Sequence, residues 1–381
     1  MPHISKWFCG FLCIIAVNAC VEPYDPPLDN QDISLLVVDG FLNATTDTAQ
    51  VRLTRTLPVK SPDIIPGEQR ALVRIEDDQG LIYTLSESGG GFYRGPVPDA
   101  RPGTSYRVLI RTSNNREYVS EFSNIIQAPP IDSITYHVDN DGVEFLVNAH
   151  DSENISRNYR WTFVETYEYK ANFNSLFKFE GQEPVFRPLT ESIFTCWRSN
   201  QSTDILVGST KHLEESVVSE FPVLFIPKES IKISVKYSLL LQQQALTDEA
   251  YNYWSQLEKT TEHLGGLFDP LPSEVQGNLK SISDPSETVI GFFSAGTIEQ
   301  QRIFLERSDW ITGLSGYYRG NPVCALDTVP ISELSQVYPP TTLLVDALYS
   351  GPALIGYTAT PISCADCRTM GGNTTKPAFW E

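Results

Sequence analysis

The sequence predicts a mainly β protein. An immunoglobulin- or fibronectin-like β-sandwich is expected over residues 33–128. A larger β-rich domain over 131–381 follows, with one prominent α-helix near 247–264. Three observations carry this. Seven short alternating segments crowd the first span, each closed by a turn signal. The chain holds 17 Tyr and 19 Phe but only 2 Met, a strand-leaning composition. Only one segment has clear helical spacing of its apolar residues. A length of 381 residues suits two or three domains.

Residues 33–40 (ISLLVVDG) read as a buried strand ending at Gly40. Residues 49–56 alternate, with Val51 and Leu53 opposite Arg52 and Thr54. Residues 71–76 and 81–85 flank Asp77-Asp78-Gln79-Gly80, a hairpin signal. Gly89-Gly90-Gly91 turns the chain before Phe92-Tyr93. Residues 105–111 and 116–122 complete the set, separated by Asn114-Asn115. Ala128-Pro129-Pro130 marks the domain boundary.

In the second half, residues 133–138 and 143–149 flank Asp139-Asn140-Asp141-Gly142. That tetrad suits a hairpin turn. It also resembles the start of a calcium loop, without the later ligands. Residues 159–188 then hold nine aromatics, where the chain average of 11% gives about three. Tyr159, Trp161, Phe163, Tyr167 and Tyr169 share one strand face, with Glu165 interrupting. The stripe is either the core face of a sheet or, at its far end, a candidate binding surface. That surface would comprise Tyr167, Tyr169, Phe173, Phe177 and Phe179. Further strands are expected near 204–208, 221–226, 231–241, 288–294 and 301–307. Thr247 caps the predicted helix, Asp248 and Glu249 suit its positive end, and Gly265-Gly266 stops it. Ala250, Tyr253, Trp254, Leu257 and Leu264 form its apolar stripe.

The first nineteen residues read as a lipoprotein signal peptide. Lys6 provides the positive charge, and Trp7 to Val17 an apolar run too short to span a bilayer. Ala19-Cys20 then matches a site at which the cysteine is acylated and becomes the mature N-terminus. An ordinary secretory signal would share the first two features. Residues 20–32 are acidic and proline-rich, an extended tether that suits a surface-export signal or a plain linker.

Past Cys20 four cysteines remain: Cys196, Cys324, Cys364 and Cys367. An even number in an oxidising compartment implies two disulfides. The favoured pairing is Cys364–Cys367 with Cys196–Cys324, because neighbours in a Cys-x-x-Cys loop meet easily. A zinc site and a redox dithiol use the same residues, but no knuckle or thioredoxin-like pattern surrounds them.

Charge excludes two partner classes. Lys plus Arg number 28 against 47 Asp plus Glu, a net charge of −19. A duplex-binding protein needs a basic face, and anionic lipid would repel this one, so no nucleic acid is expected. No cofactor fingerprint, P-loop, zinc-protease helix or nucleophile elbow exists, so no catalytic, cofactor or metal residue is assigned. His150-Asp151 could orient a base or form a plain turn. Two carboxylates brought together by folding would make a surface hydrolase, a reading the sequence leaves open.

Several segments together resemble one family. They are Val37-Val38-Asp39-Gly40, Gly91-x-Tyr93, Pro102-Gly103-x-x-Tyr106, Thr195-Cys196-Trp197 and Ala250-Tyr251-x-Tyr253-Trp254-x-x-Leu257. Phe268-Asp269-Pro270-x-Pro272, Gly277-Asn278, Val289-Ile290-Gly291-Phe292-Phe293 and Cys364-x-Asp366-Cys367 extend the set. Gly371-Gly372 and Lys376-Pro377-x-Phe379-Trp380 close it. The ordered set resembles the Bacteroidota outer-membrane lipoproteins catalogued as domain of unknown function 4249. The resemblance implies a surface lipoprotein encoded beside a TonB-dependent outer-membrane receptor, with a nutrient ligand, and transfers no catalytic residue. The expected role is an accessory or substrate-binding subunit, anchored by lipid in the outer membrane and facing outwards. The alternative is an adhesive or structural surface module.

Overall fold

The computed structural model describes residues 34–57, 67–262, 275, 277–310, 323–336 and 341–380. The signal (1–19), Cys20, the tether (20–32), Leu264 and the Gly265-Gly266 stop lie outside them. The protein is mainly β, with a sandwich-like arrangement of several sheets and few helices.

The first unit uses β1 (Leu36–Asn43), β2 (Thr48–Arg55), β3 (Leu72–Asp77), β4 (Ile82–Thr84) and β5 (Ser86–Gly89). β6 (Phe92–Pro96), β7 (Ser105–Arg111), β8 (Glu117–Ser120) and β9 (Ser123–Ile126) follow. The second unit begins with β10 (Ile131–Val138), β11 (Gly142–Asp151) and the long β12 (Asn158–Lys170). Next come β13 (Phe177–Glu180), β14 (Glu183–Phe186), β15 (Thr195–Gln201), β16 (Leu206–Ser209), β17 (Ser216–Pro227) and β18 (Lys236–Leu246). Helix α1 spans Asp248–Glu262. The rest is β19 (Leu279–Ser281), β20 (Ile290–Gly296), β21 (Glu299–Glu306), β22 (Asp327–Pro330), β23 (Thr342–Ser350) and β24 (Ala353–Pro361).

Strand pairing places β5-β6-β2-β1-β20 in one layer and β4-β3-β7-β8-β19 in the other. β9 joins the layers, pairing with β7 at Tyr106 and with β20 at Ala295. Alternation is what fills the space between them. Val38, Leu42, Val51, Leu53, Val73, Ile75, Val108 and Ile110 all point inwards and are buried. Two strands of this unit, β19 and β20, come from far beyond the expected boundary at 128–130. β20 lies parallel to β1, with Gly40 beside Phe293. A parallel pair needs a long crossover, and here the whole of β10–β18 and α1 provides it.

In the second unit β10-β11-β17 faces β15-β12-β18-β21. Their shared core holds Phe145, Val147, Tyr159, Trp161, Phe163, Leu239 and Leu241. A third, smaller sheet, β22-β24-β23, packs with the β13–β14 hairpin around Leu344, Tyr357, Phe177 and Phe179. The Asp139–Gly142 tetrad is a hairpin turn. The Asp139 carboxylate accepts the backbone N–H groups of Asp141 (2.7 Å) and Gly142 (2.9 Å).

Helix α1 begins as its sequence indicates. Thr247 Oγ1 accepts the Ala250 N–H at 3.1 Å. Ala250, Tyr253 and Trp254 are buried against Val207 of β16 and Phe292 of β20, so the helix bridges the two units. Arg160 of β12 stacks on the Trp254 ring at 3.6 Å. Burial, and secondarily Asp39, pushes the Tyr253 hydroxyl up to about 12.

The disulfides correct the expected pairing. Cys196 bonds to Cys367 and Cys324 to Cys364. Cys364 lies in a one-turn helix, Ile362–Ala365, and Cys367 opens a 3-10 turn, Cys367–Met370. Adjacent helical turns aim the two sulfurs at different neighbours. Cys367 therefore ties the C-terminal segment to β15 through Cys196, and Cys364 ties it to the coil before β22 through Cys324.

Candidate functional site

The aromatic stripe is the first candidate to test, and the structure removes its near end. β12 is hydrogen-bonded on both sides, by β15 and β18, and its inner face is roofed by β10-β11-β17. Tyr167 and Tyr169 therefore lie in the core, 5% and 1% exposed. The Tyr169 hydroxyl donates to the Cys367 carbonyl at 2.9 Å, and Gly372 lies so close that a Cβ there would stand 2.3 Å from it. Phe173, Phe177 and Phe179 are half-buried. Phe177 meets Phe186 and Tyr357 edge-on at 5.9 and 5.0 Å. The five residues do not form one surface. Phe177 and Phe179 brace the third sheet, Tyr167 and Tyr169 fill the main core, and Phe173 hydrogen-bonds through its backbone N–H to the Cys364 carbonyl.

Glu165 interrupts the stripe because it anchors a buried network. It is 4% exposed. It accepts from Lys232 Nζ (2.8 Å), Asn200 Nδ2 (2.9 Å) and the Tyr237 hydroxyl (3.0 Å). Burial first, and the Glu165 charge second, push the Tyr237 hydroxyl far above the ordinary tyrosine value.

A concave feature lies elsewhere. A crevice of about 430 Å3 opens where the first unit passes into the second. Pro102, Ile125, Pro129, Pro130 and Ile155 form apolar walls, and His150, Asp151 and Glu153 supply polar groups. The linker along its floor is pinned. Ala128 N–H donates to Thr297 Oγ1 at 2.8 Å, and the Pro129 carbonyl accepts from Gln243 Nε2 at 2.8 Å. Gln243 is fully buried and also accepts from the Trp161 indole at 2.8 Å. A tethered linker gives the crevice fixed walls.

His150 turns away from Asp151 and pairs with Asp132 on β10. Nδ1 lies 2.8 Å from both carboxylate oxygens. That hydrogen bond, reinforced by the Asp132 charge, raises the imidazole above its ordinary value. Asp151 is a turn-former. Burial opposes its ionisation, but backbone N–H groups led by that of Ser156 (2.6 Å) outweigh it and hold the carboxyl low. The local alternation, which puts successive side chains on opposite sheet faces, separates the two neighbours. No hydroxyl or thiol is placed against His150 by any hydrogen bond among the described residues. The same residues contain no cluster of three or more His, Cys, Asp or Glu able to hold a metal.

With this geometry in hand, the comparisons place the chain. The family described as Domain of unknown function (DUF4249) matches residues 21–302. The chain belongs to the DUF4249 family. No curated protein matches this DUF4249 chain. Among solved structures, one similar chain comes from work titled as the complete structure of manganese lipoxygenase of Gaeumannomyces graminis and partial structure of zonadhesin of Komagataella pastoris. It is 11% identical over 57% of this chain and 91% of that one, with a TM-score of 0.17, too low to carry an argument. No described helix is long and apolar enough to cross a membrane.

Several segments that carried the resemblance now have physical roles. The Tyr93 hydroxyl donates to the Glu68 carbonyl at 2.8 Å and accepts from Ala71 N–H at 3.0 Å. Asn278 holds the backbone of Phe293, and Trp197 exchanges backbone hydrogen bonds with Asn373. Trp380 donates to Glu168 at 3.1 Å, which lays the tail on the outer face of the β12 sheet. These are packing devices. Sequence reasoning missed the crevice because its walls come from segments that share no periodic signal.

Proposed function

We propose that this DUF4249 protein is a lipid-anchored, surface-exposed outer-membrane lipoprotein that serves as an accessory or substrate-binding subunit of a TonB-dependent transporter. The observation that carries the binding role is the junction crevice. It has apolar walls, a few polar groups and a rigidly pinned floor, the usual make-up of a small-ligand site. Two disulfides formed by all four cysteines after Cys20 support an oxidising compartment. The Ala19-Cys20 signal supports the anchor. The resemblance to lipoproteins encoded beside such transporters supports the partner.

The test is purification from native outer membranes in mild detergent. A stoichiometric large β-barrel receptor travelling with the protein is the expected result. Recovery of the lipoprotein alone, with cross-linking as well, would overturn the transporter role in favour of an adhesive or free-standing module. Cys20→Ser should abolish fatty-acid incorporation and membrane retention.

A further inference from the structure

The outer face of the β4-β3-β7-β8-β19 layer is cationic although the chain as a whole is acidic. Strand register sets its composition. Arg74 lies between Thr84 and Leu109, Leu72 beside Arg111, Glu76 beside Arg107, and Lys280 beside Val119. Their inward neighbours Val73, Ile75, Val108 and Tyr118 are all core, so these residues share the opposite face. Four cations stand there against two carboxylates, Glu76 and Glu117, on a chain whose net charge is −19.

Two of the cations are committed little or not at all. Arg111 and Lys280 are exposed and have no ion pair among the described residues. Arg107 is held by Glu76 at 2.6 Å and lies over the half-exposed Phe122 ring at 4.6 Å. Arg74 is half-buried, and its Nε is buried with no hydrogen-bond partner among the described residues. Between the cations runs an apolar floor of Leu72 and Leu109, both half-buried, and Ile82 and Ile282 at its margins are 49% and 54% exposed.

We infer that this face docks an acidic protein surface with an apolar centre, on the membrane receptor of the proposed transporter. The inference rests on that transporter role and names its contact. Arginines around an apolar patch are the anchors of protein interfaces, and charge complementarity selects a carboxylate-rich partner. A polyanion such as the phosphates of a lipid headgroup fits less well. It would meet Glu76 and Glu117, and it would leave the apolar floor uncovered.

The experiment uses the full lipoprotein in native cells. A photo-cross-linker replaces Leu109, and as a control Tyr349, which is 64% exposed on the third sheet. The expected result is a cross-link from position 109, absent from 349, to a β-barrel protein at a segment rich in Asp and Glu. Arg111→Glu with Lys280→Glu should cut recovery of that barrel at least ten-fold. Both positions are exposed, so the melting temperature should not move. Full recovery with the double charge reversal overturns the docking face, as does a cross-link from 349 alone. If the double variant instead loses retention on lipopolysaccharide vesicles while the barrel still co-purifies, a polyanion is the occupant and the inference fails. If the wild-type protein brings no barrel, the transporter role itself falls, a different outcome from a barrel that docks elsewhere.

Discussion

Asn278 grips both backbone groups of Phe293. Its Nδ2 donates to the Phe293 carbonyl at 2.7 Å, and its Oδ1 accepts the Phe293 N–H at 2.9 Å. On its other side β20 is bonded to β1, while β9 joins only further along, at Ala295. A side-chain amide thus stands in for a missing strand, and closes one of the few gaps in the ladder that unites the distant halves of the chain.

Asn278→Ala should therefore leave a donor and an acceptor of β20 unmet, at about 1–3 kcal/mol for each that water cannot reach. Asn278→Asp should cost at least as much, because it still accepts the Phe293 N–H but sets a carboxylate oxygen against the Phe293 carbonyl. Gly291→Ala should be worse than either. Gly291 has φ +133°, and an added Cβ would stand 1.9 Å from the Val38 carbonyl. Urea unfolding midpoints order the three variants.

The disulfides yield a second ranking. Cys196–Cys367 closes 171 residues and is fully buried at both ends, while Cys324–Cys364 closes 40. Loss of a native disulfide costs about 2–5 kcal/mol, more for the longer loop in the chain-entropy account. The Cys196→Ala/Cys367→Ala pair should unfold at lower guanidinium concentration than Cys324→Ala/Cys364→Ala. Non-reducing peptide mapping should link 196 with 367 and show no free thiol among the four.

These cases mark what the sequence could and could not tell. Strand positions were legible, because burial of one sheet face writes period-2 alternation into segments such as 105–111. Helix α1 was legible from Thr247 and the Ala250–Trp254 stripe. The set of four disulfide cysteines was legible from parity. Their pairing was not, because contact between residues 196 and 367 is a property of the assembled sheets. The parallel pairing of β1 with β20 was hidden for the same reason. The aromatic stripe was ambiguous in principle: a core face and a binding face have identical alternation. What roofs Tyr167 lies in another part of the chain.

Alkaline pH should destabilise the fold. Tyr237 and Tyr253 both have raised values when folded, chiefly through burial. A hydroxyl raised above its unfolded value near 10 contributes stability that is fully present below that pH. The contribution is lost as pH climbs towards the folded value, at about 1.4 kcal/mol per pH unit for each group. Melting temperature should fall between pH 10 and 12. Tyr237→Phe should make that fall shallower, and a share of the tyrosinate absorbance, smaller in Tyr237→Phe, should appear only as the protein unfolds.

His150 offers a local pH readout beside the crevice. Its imidazole is raised by the Asp132 hydrogen bond, so Asp132→Asn should lower its titration midpoint towards the ordinary histidine value. The sign follows from which form the carboxylate favours: charged imidazole is favoured, and the preference fades as pH rises through the raised value. Both side chains are largely exposed, so global stability should barely change. Proton NMR of the His150 ring measures the shift.

Glu165 separates two explanations of a buried charge. Lys232→Met leaves the carboxylate buried with only Asn200 and Tyr237 as donors, and should destabilise by about 1–3 kcal/mol, reduced from a fully buried pair because the Lys232 side chain is 33% exposed. Glu165→Gln keeps an oxygen for Asn200, turns its amide NH2 towards the Tyr237 hydroxyl, which can accept, and leaves no buried carboxylate charge. If the network serves hydrogen-bond satisfaction, Glu165→Gln should cost clearly less than Lys232→Met in denaturant unfolding. The opposite order would mean that the Glu165 charge itself holds the centre of β12 in register against β18.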